Sequence, residues 1–169
     1  MQLVNDFRYV YLDDPIPRLT TRLSDGPFEG LRTTPAKADF ITKLGADIRS
    51  LAARHSSILF FDDFPAGYLF SDLKAATPAV WMLGNWTQFS SYDRSIFSRY
   101  YARRDRLPDV AVHVVKVPFT SEFTFPVPPW ERDPVVALFE PPVYEEVLRR
   151  PEYTVSARTA HDGGRGGGR

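Results

Sequence analysis

Two short runs constrain this fold more than anything else in the chain. Residues 57–61 read SILFF and residues 110–117 read VAVHVVKV. Both are nearly continuous apolar runs of strand length, the pattern of strands covered on both faces. Helical patterns flank them. Thr34 is a capping residue and Pro35 suits a first helical position. Phe40, Ile41, Leu44, Ile48, Leu51 and Ala52 then form one apolar stripe that predicts a helix to Ala53. A second helix is expected over Tyr92 to Arg104. Strands alternating with helices predict a single α/β domain over residues 1–158, three-layered, with a mostly parallel central sheet flanked by helices. From His161 the tail reads HDGGRGGGR, and residues 159–169 are expected to be a disordered Gly/Arg tail.

The remaining elements follow from local pattern. Phe7 to Leu12 reads as a strand that ends at Asp13, Asp14 and Pro15. Leu19 and Leu23 allow a short helix, as does Pro65 to Leu73. Ala79 to Leu83 suggests another strand, Val143 to Leu148 a short helical segment, and Tyr153 to Ala157 a last strand. There is no internal repeat.

Composition closes several routes. No cysteine is present, which excludes disulfides, thiolate catalysis and cysteine-ligated metals. Lys plus Arg, at 21, equals Asp plus Glu, so no global field draws the chain to nucleic acid, and any electrostatic partner must read a local patch. No apolar run approaches the ~18–20 residues of a membrane span. Met1 to Asp14 lacks the pattern of a signal peptide. Read as a complete product, the chain is expected in the cytoplasm; as part of a longer protein, its side is open.

Asp62 and Asp63, at the end of the SILFF strand, are the leading site candidates. Ligands of open parallel sheets bind outside the carboxyl ends of strands, where two carboxylates suit a cation or sugar hydroxyls. The alternative is that one Asp caps the next turn and the other is solvated. Tyr68 and Trp81 either add a stacking face there or belong to the core. Gly67 permits close backbone approach.

The other motifs have structural readings. Gly26 and Gly30 bracket a turn without the lysine of a phosphate loop. His55, His113 and His161 lack metal-ligand spacing, and no nucleophile elbow occurs. Arg99, Arg103 and Arg106 border the aromatic face of the second helix; they either meet phosphates or lie over their own aromatics. Asn85, Trp86 and Thr87 match a glycosylation sequon. No catalytic residue, cofactor or metal site is expected from these patterns.

Three stretches carry a resemblance: residues 11–48 (YLDDPIPRLTTRLSDGPFEGLRTTPAKADFITKLGADI), residues 58–81 (ILFFDDFPAGYLFSDLKAATPAVW) and residues 144–158 (YEEVLRRPEYTVSAR). They resemble the C-terminal extracytoplasmic region of bacterial, actinobacterial-type GT-C polytopic membrane glycosyltransferases, the dolichyl-phosphate-mannose-protein-mannosyltransferase-like proteins. The turn Pro65-Ala66-Gly67-Tyr68 and the closing Tyr144–Val147 and Tyr153–Val155 match that pattern, and the likeness covers most of residues 9–158. The family's catalytic carboxylate lies in a loop between membrane spans that is not part of this sequence, so no catalytic residue carries over.

The resemblance implies a non-catalytic accessory or binding domain on the extracytoplasmic face of the plasma membrane. Its partners would be the membrane domain of the same or a neighbouring protein, and an acceptor glycan, in a system using a lipid-phosphate sugar donor. The alternative from the residues alone is a free-standing cytosolic α/β enzyme acting on a small polar ligand at Asp62 and Asp63. Nucleic acid is not expected as a partner, given zero net charge.

Overall fold

The structure, a computed structural model, describes residue 14 and residues 16–61, 64–80, 91–114, 136–139 and 141–159. Its longest element is helix α1, Pro35–Ala52. Thr34 has extended backbone, and its hydroxyl accepts the Lys37 N–H at 3.3 Å, satisfying one of the donors that a helix start leaves open. Pro35 occupies the first turn, where its missing N–H costs nothing. A buried ion pair at 3.3 Å between Lys37 and Asp14 fastens the preceding chain to this turn.

Before α1, strands β1 (Thr21–Arg22) and β2 (Arg32–Thr33) form a small antiparallel hairpin. Gly26 and Gly30 sit at φ 79° and 87° in its connection, a backbone region that glycine enters without steric cost. The expected helix joining Leu19 to Leu23 is replaced by a 3₁₀ turn at Ile16–Arg18 followed by β1.

The main sheet contains β3 (Ser57–Phe61), β4 (Lys74–Ala75), β5 (Val110–Val114), β6 (Tyr144–Arg149) and β7 (Tyr153–Arg158). Their order is β4-β3-β5-β7-β6. β3 runs parallel to β4 and β5, but β7 runs antiparallel to both β5 and β6. The fold is mixed α/β, and the expectation of a mostly parallel sheet is corrected. The cause lies in β6 and β7. A short turn joins them, and so short a connection can make only an antiparallel pair.

The segment expected to be helical from Val143 is strand β6, paired with β7 from Tyr144 to Arg149. The second helix, α2, spans Ser91–Tyr101, with a 3₁₀ turn at Arg104–Arg106 after it. A further 3₁₀ turn covers Pro65–Leu69. Ala79 and Val80 are not in a strand, and 81–83 lie outside the described residues, as do the expected strand at Phe7–Leu12, positions 115–117 and the sequon.

Alternation along the strands assigns two faces. Ile58, Phe60, Val110, Val112, Tyr153 and Val155 meet Phe40, Leu44, Ile48 and Leu51 of α1. Leu59, Phe61 and Ala111 face the other way, against Tyr101 of α2, Phe139 and Tyr144. Leu44, Ile48, Leu59, Val110, Val112 and Val155 are fully buried, each worth about 1.5–3 kcal/mol of transfer free energy. Burial on both faces is why β3 and β5 read as nearly continuous apolar runs.

Candidate functional site

The parallel strands β3 and β5 end side by side, with Phe61 opposite His113 in the ladder. Asp62 and Asp63 follow directly, and both lie outside the described residues, as does Trp81. Of the four candidates, Tyr68 is described. It sits in the 3₁₀ turn Pro65–Leu69 and is half-buried.

That turn is built against β3. β4 is only two residues long, so its pairing with β3 covers Ser57 and Ile58 and stops, with Ala76 N–H donating to the Ile58 carbonyl. The next inward N–H of β3, that of Phe60, would lack a strand partner. Tyr68 supplies one: its hydroxyl oxygen accepts the Phe60 N–H at 3.1 Å, and its ring meets the Phe60 ring edge-on at 5.2 Å. Burial pushes the Tyr68 phenol above its ordinary value, and the Phe60 hydrogen bond opposes that only in part. Gly67 permits a close approach, as its sequence position suggested, and the group that approaches is the Phe60 ring. Removing only the hydroxyl, by Tyr68→Phe, leaves a buried N–H unsatisfied. A loss of about 1–2 kcal/mol in urea unfolding is expected, with native amide exchange at Phe60 accelerated. An unchanged unfolding midpoint would show that water replaces the phenol.

The opposite, amino edge of the sheet carries a second polar cluster, which sequence reading missed. One carboxylate oxygen of Asp109, just before β5, accepts from Ser56 N–H (2.8 Å), Ser56 Oγ–H (2.6 Å) and Ser57 N–H (3.1 Å). The Asp109 N–H donates to Ser57 Oγ at 3.0 Å in return. Partial burial alone would raise the Asp109 carboxyl, but these hydrogen bonds together outweigh it and hold the group below its ordinary value. The signal was available: Ser-Ser before one buried strand and Asp before its neighbour, at the same level once the strands pair.

Beside this cluster lies a groove of about 510 Å³ whose polar lining includes Arg49, His55, Ser56, Ser71 and Asp72. His55 follows the end of α1. His113 is in β5 with its ring edge-on to Phe61 at 6.3 Å. Arg106 lies 4.8 Å over the Tyr100 ring, the arrangement in which arginines cover their own aromatic face. Arg103 pairs with Asp105.

Three more tyrosines tie elements together through their hydroxyls, here as donors. Tyr101 O–H donates to the Ala76 carbonyl at 2.8 Å, Tyr144 O–H to the Pro108 carbonyl, and Tyr153 O–H to Asp47 of α1 at 2.6 Å. Burial is the leading cause that raises all three phenols well above their ordinary value; at Tyr153 the Asp47 carboxylate adds to it. Among the described residues, no group of three or more His, Asp or Glu side chains is arranged to hold a metal ion. Among them also, no helix is long and apolar enough to cross a membrane. Compared with known proteins, the chain matches no family model, no curated protein and no solved structure.

Proposed function

We propose that this chain is a non-catalytic accessory or binding domain, in the manner of the extracytoplasmic lobe of a membrane glycosyltransferase fed by a lipid-phosphate sugar donor. The observation that carries the reading is where the shifted titratable groups point. In an active site such groups face a cavity and a substrate. Here Tyr68, Tyr101, Tyr144, Tyr153 and Asp109 are each engaged with backbone or with a neighbouring element. None of them lines the groove at the amino edge. Their chemistry holds the sheet together, and a domain of that kind contributes surface.

Contacts with an acceptor glycan or with the membrane domain are assigned to Asp62, Asp63, Tyr68 and Trp81, of which Asp62 and Asp63 directly follow β3 in the sequence. Ionised carboxylates offer only acceptors and so suit sugar hydroxyls, a cation or a basic partner. The Tyr68 turn, anchored on Phe60, fixes the chain that follows Asp63. No metal or cofactor enters this reading.

Two measurements test it. Purified protein, screened with generic ester, phosphate and activated-sugar substrates, is expected to show no turnover. Reproducible turnover abolished by Asp62→Ala would replace the accessory role with the small-ligand enzyme. Amide-shift mapping with candidate oligosaccharides is expected to perturb residues 62–68; shifts confined elsewhere would move the site.

A further inference from the structure

The sheet gathers positive charge at its amino edge. β3, β4, β5 and β6 all begin there and β7 ends there, because β7 alone runs against the others. Among the described residues, the segments at this edge carry six cations, Arg54, Lys74, Arg103, Arg104, Arg106 and Arg158, against three carboxylates, Asp72, Asp105 and Asp109. Asp109 is held by Ser56 and Ser57, and Asp105 by Arg103. Both helices also end at this edge, and each C-terminus contributes roughly half a negative charge. That offsets about one cation and leaves an excess of about two among the described residues, or about one with Glu140, which precedes Pro141 in the sequence, in a chain whose net charge is zero. Arg54, Lys74 and Arg104 are all exposed.

An apolar tip stands at the β6 end of this edge, beside Arg158. Pro141, Pro142 and Val143 are exposed at the start of β6. Thr159 fixes the tip beside Arg158, its N–H donating to the Val143 carbonyl at 2.9 Å and its hydroxyl reaching the Pro142 and Val143 carbonyls. A row of cations along an edge with a small apolar projection at one end matches an interface with phosphate headgroups outside and acyl chains beneath. A nucleic acid would gain from the cations but nothing from two prolines and a valine, which present no donor to a base edge and no aromatic face.

We infer that the amino edge of the sheet docks on an anionic phospholipid surface, with the Pro141–Val143 tip entering the headgroup layer. The inference deepens the accessory-domain reading by naming the surface that meets the membrane, and it rests on that reading for the membrane's presence. Its test uses vesicles alone, so the fate of the glycan site at Asp62 and Asp63 does not affect it.

The experiment is flotation of the purified chain with vesicles of mixed phosphatidylglycerol and phosphatidylcholine, against phosphatidylcholine alone. The chain is expected to float with the anionic vesicles at low salt and to be released as salt rises. Reversing Arg54→Glu, Lys74→Glu and Arg104→Glu should lower partitioning by at least about fivefold per site. Val143→Asp should lower it as well. A control with Arg18→Glu, Arg22→Glu and Arg32→Glu, the same charge change around the β1–β2 hairpin, should retain binding, with thermal melts confirming that every variant folds. Equal partitioning to neutral vesicles, an equal loss in the control, or no flotation overturns the inference. Tighter, salt-sensitive binding to DNA or RNA that ignores Val143→Asp also overturns it and makes the edge a nucleic-acid surface.

Discussion

Gly67→Ala is expected to destabilise the domain by about 2–3 kcal/mol, although it adds a single methyl group. A Cβ built on Gly67 falls 2.5 Å from the Phe60 ring, with two further ring carbons at 2.6 and 2.7 Å. The ring cannot step aside. Phe60 is 1% exposed on a central strand, with Tyr68 edge-on at 5.2 Å and Phe64 at 6.2 Å. Either the Pro65–Leu69 turn lifts or the core of β3 shifts, and lifting the turn also breaks the Tyr68–Phe60 hydrogen bond. Urea unfolding of wild type, Gly67→Ala, Phe60→Leu and the double variant forms the test. The double variant should lose clearly less than the sum of the singles, because the smaller side chain makes room for the methyl. A Gly67→Ala midpoint within error of wild type would mean that the turn yields at little cost.

The same turn shows how far the sequence could be read. Ser57–Phe61 and Val110–Val114 declared themselves because burial on both faces leaves a single polar residue in each, Ser57 and His113. Thr34 and Pro35 declared the start of α1 because capping is local chemistry. The direction of pairing is not local, and β6 shows why it was missed. Glu146 and Arg149 are three apart and form an ion pair, which reads as one face of a helix. In a regular strand such residues would point to opposite faces. Here the register shifts between Glu146 and Leu148, so Val147 is an extra residue and both charges fall on the side facing Tyr144. A bulge imitates helical spacing, and only the partner strand β7 distinguishes them. The candidate site was legible to the same extent. Gly67 marked a close approach, but no pattern in one dimension says whether a ligand or Phe60 fills it. Tyr68 and Asp109 take their roles from ladder positions, which exist only once β4 stops short and β5 lies beside β3.

Asp109→Ala should cost about 2 kcal/mol at neutral pH, and the cost should shrink in acid. Hydrogen bonds to a charged acceptor are worth about 1.5–3 kcal/mol each when well shielded. Three of them converge on one half-buried oxygen, so solvent screening reduces the sum. These hydrogen bonds hold the folded carboxyl below its ordinary value in spite of the opposing effect of burial. A depressed folded value means that the unfolded chain takes up the proton first as pH falls. The Asp109 contribution is therefore complete above the ordinary carboxylate range. Its charge-dependent part decreases as pH drops towards the folded value and is lost below it, while the neutral carboxyl still accepts. Urea midpoints of wild type and Asp109→Ala should differ most near pH 7 and draw together as pH falls below the ordinary carboxylate range. Asp109→Asn should fall between them at pH 7, since the amide keeps one neutral acceptor and loses the charge. A wild-type advantage that persists unchanged into acid would show that shape, not the carboxylate, joins the starts of β3 and β5.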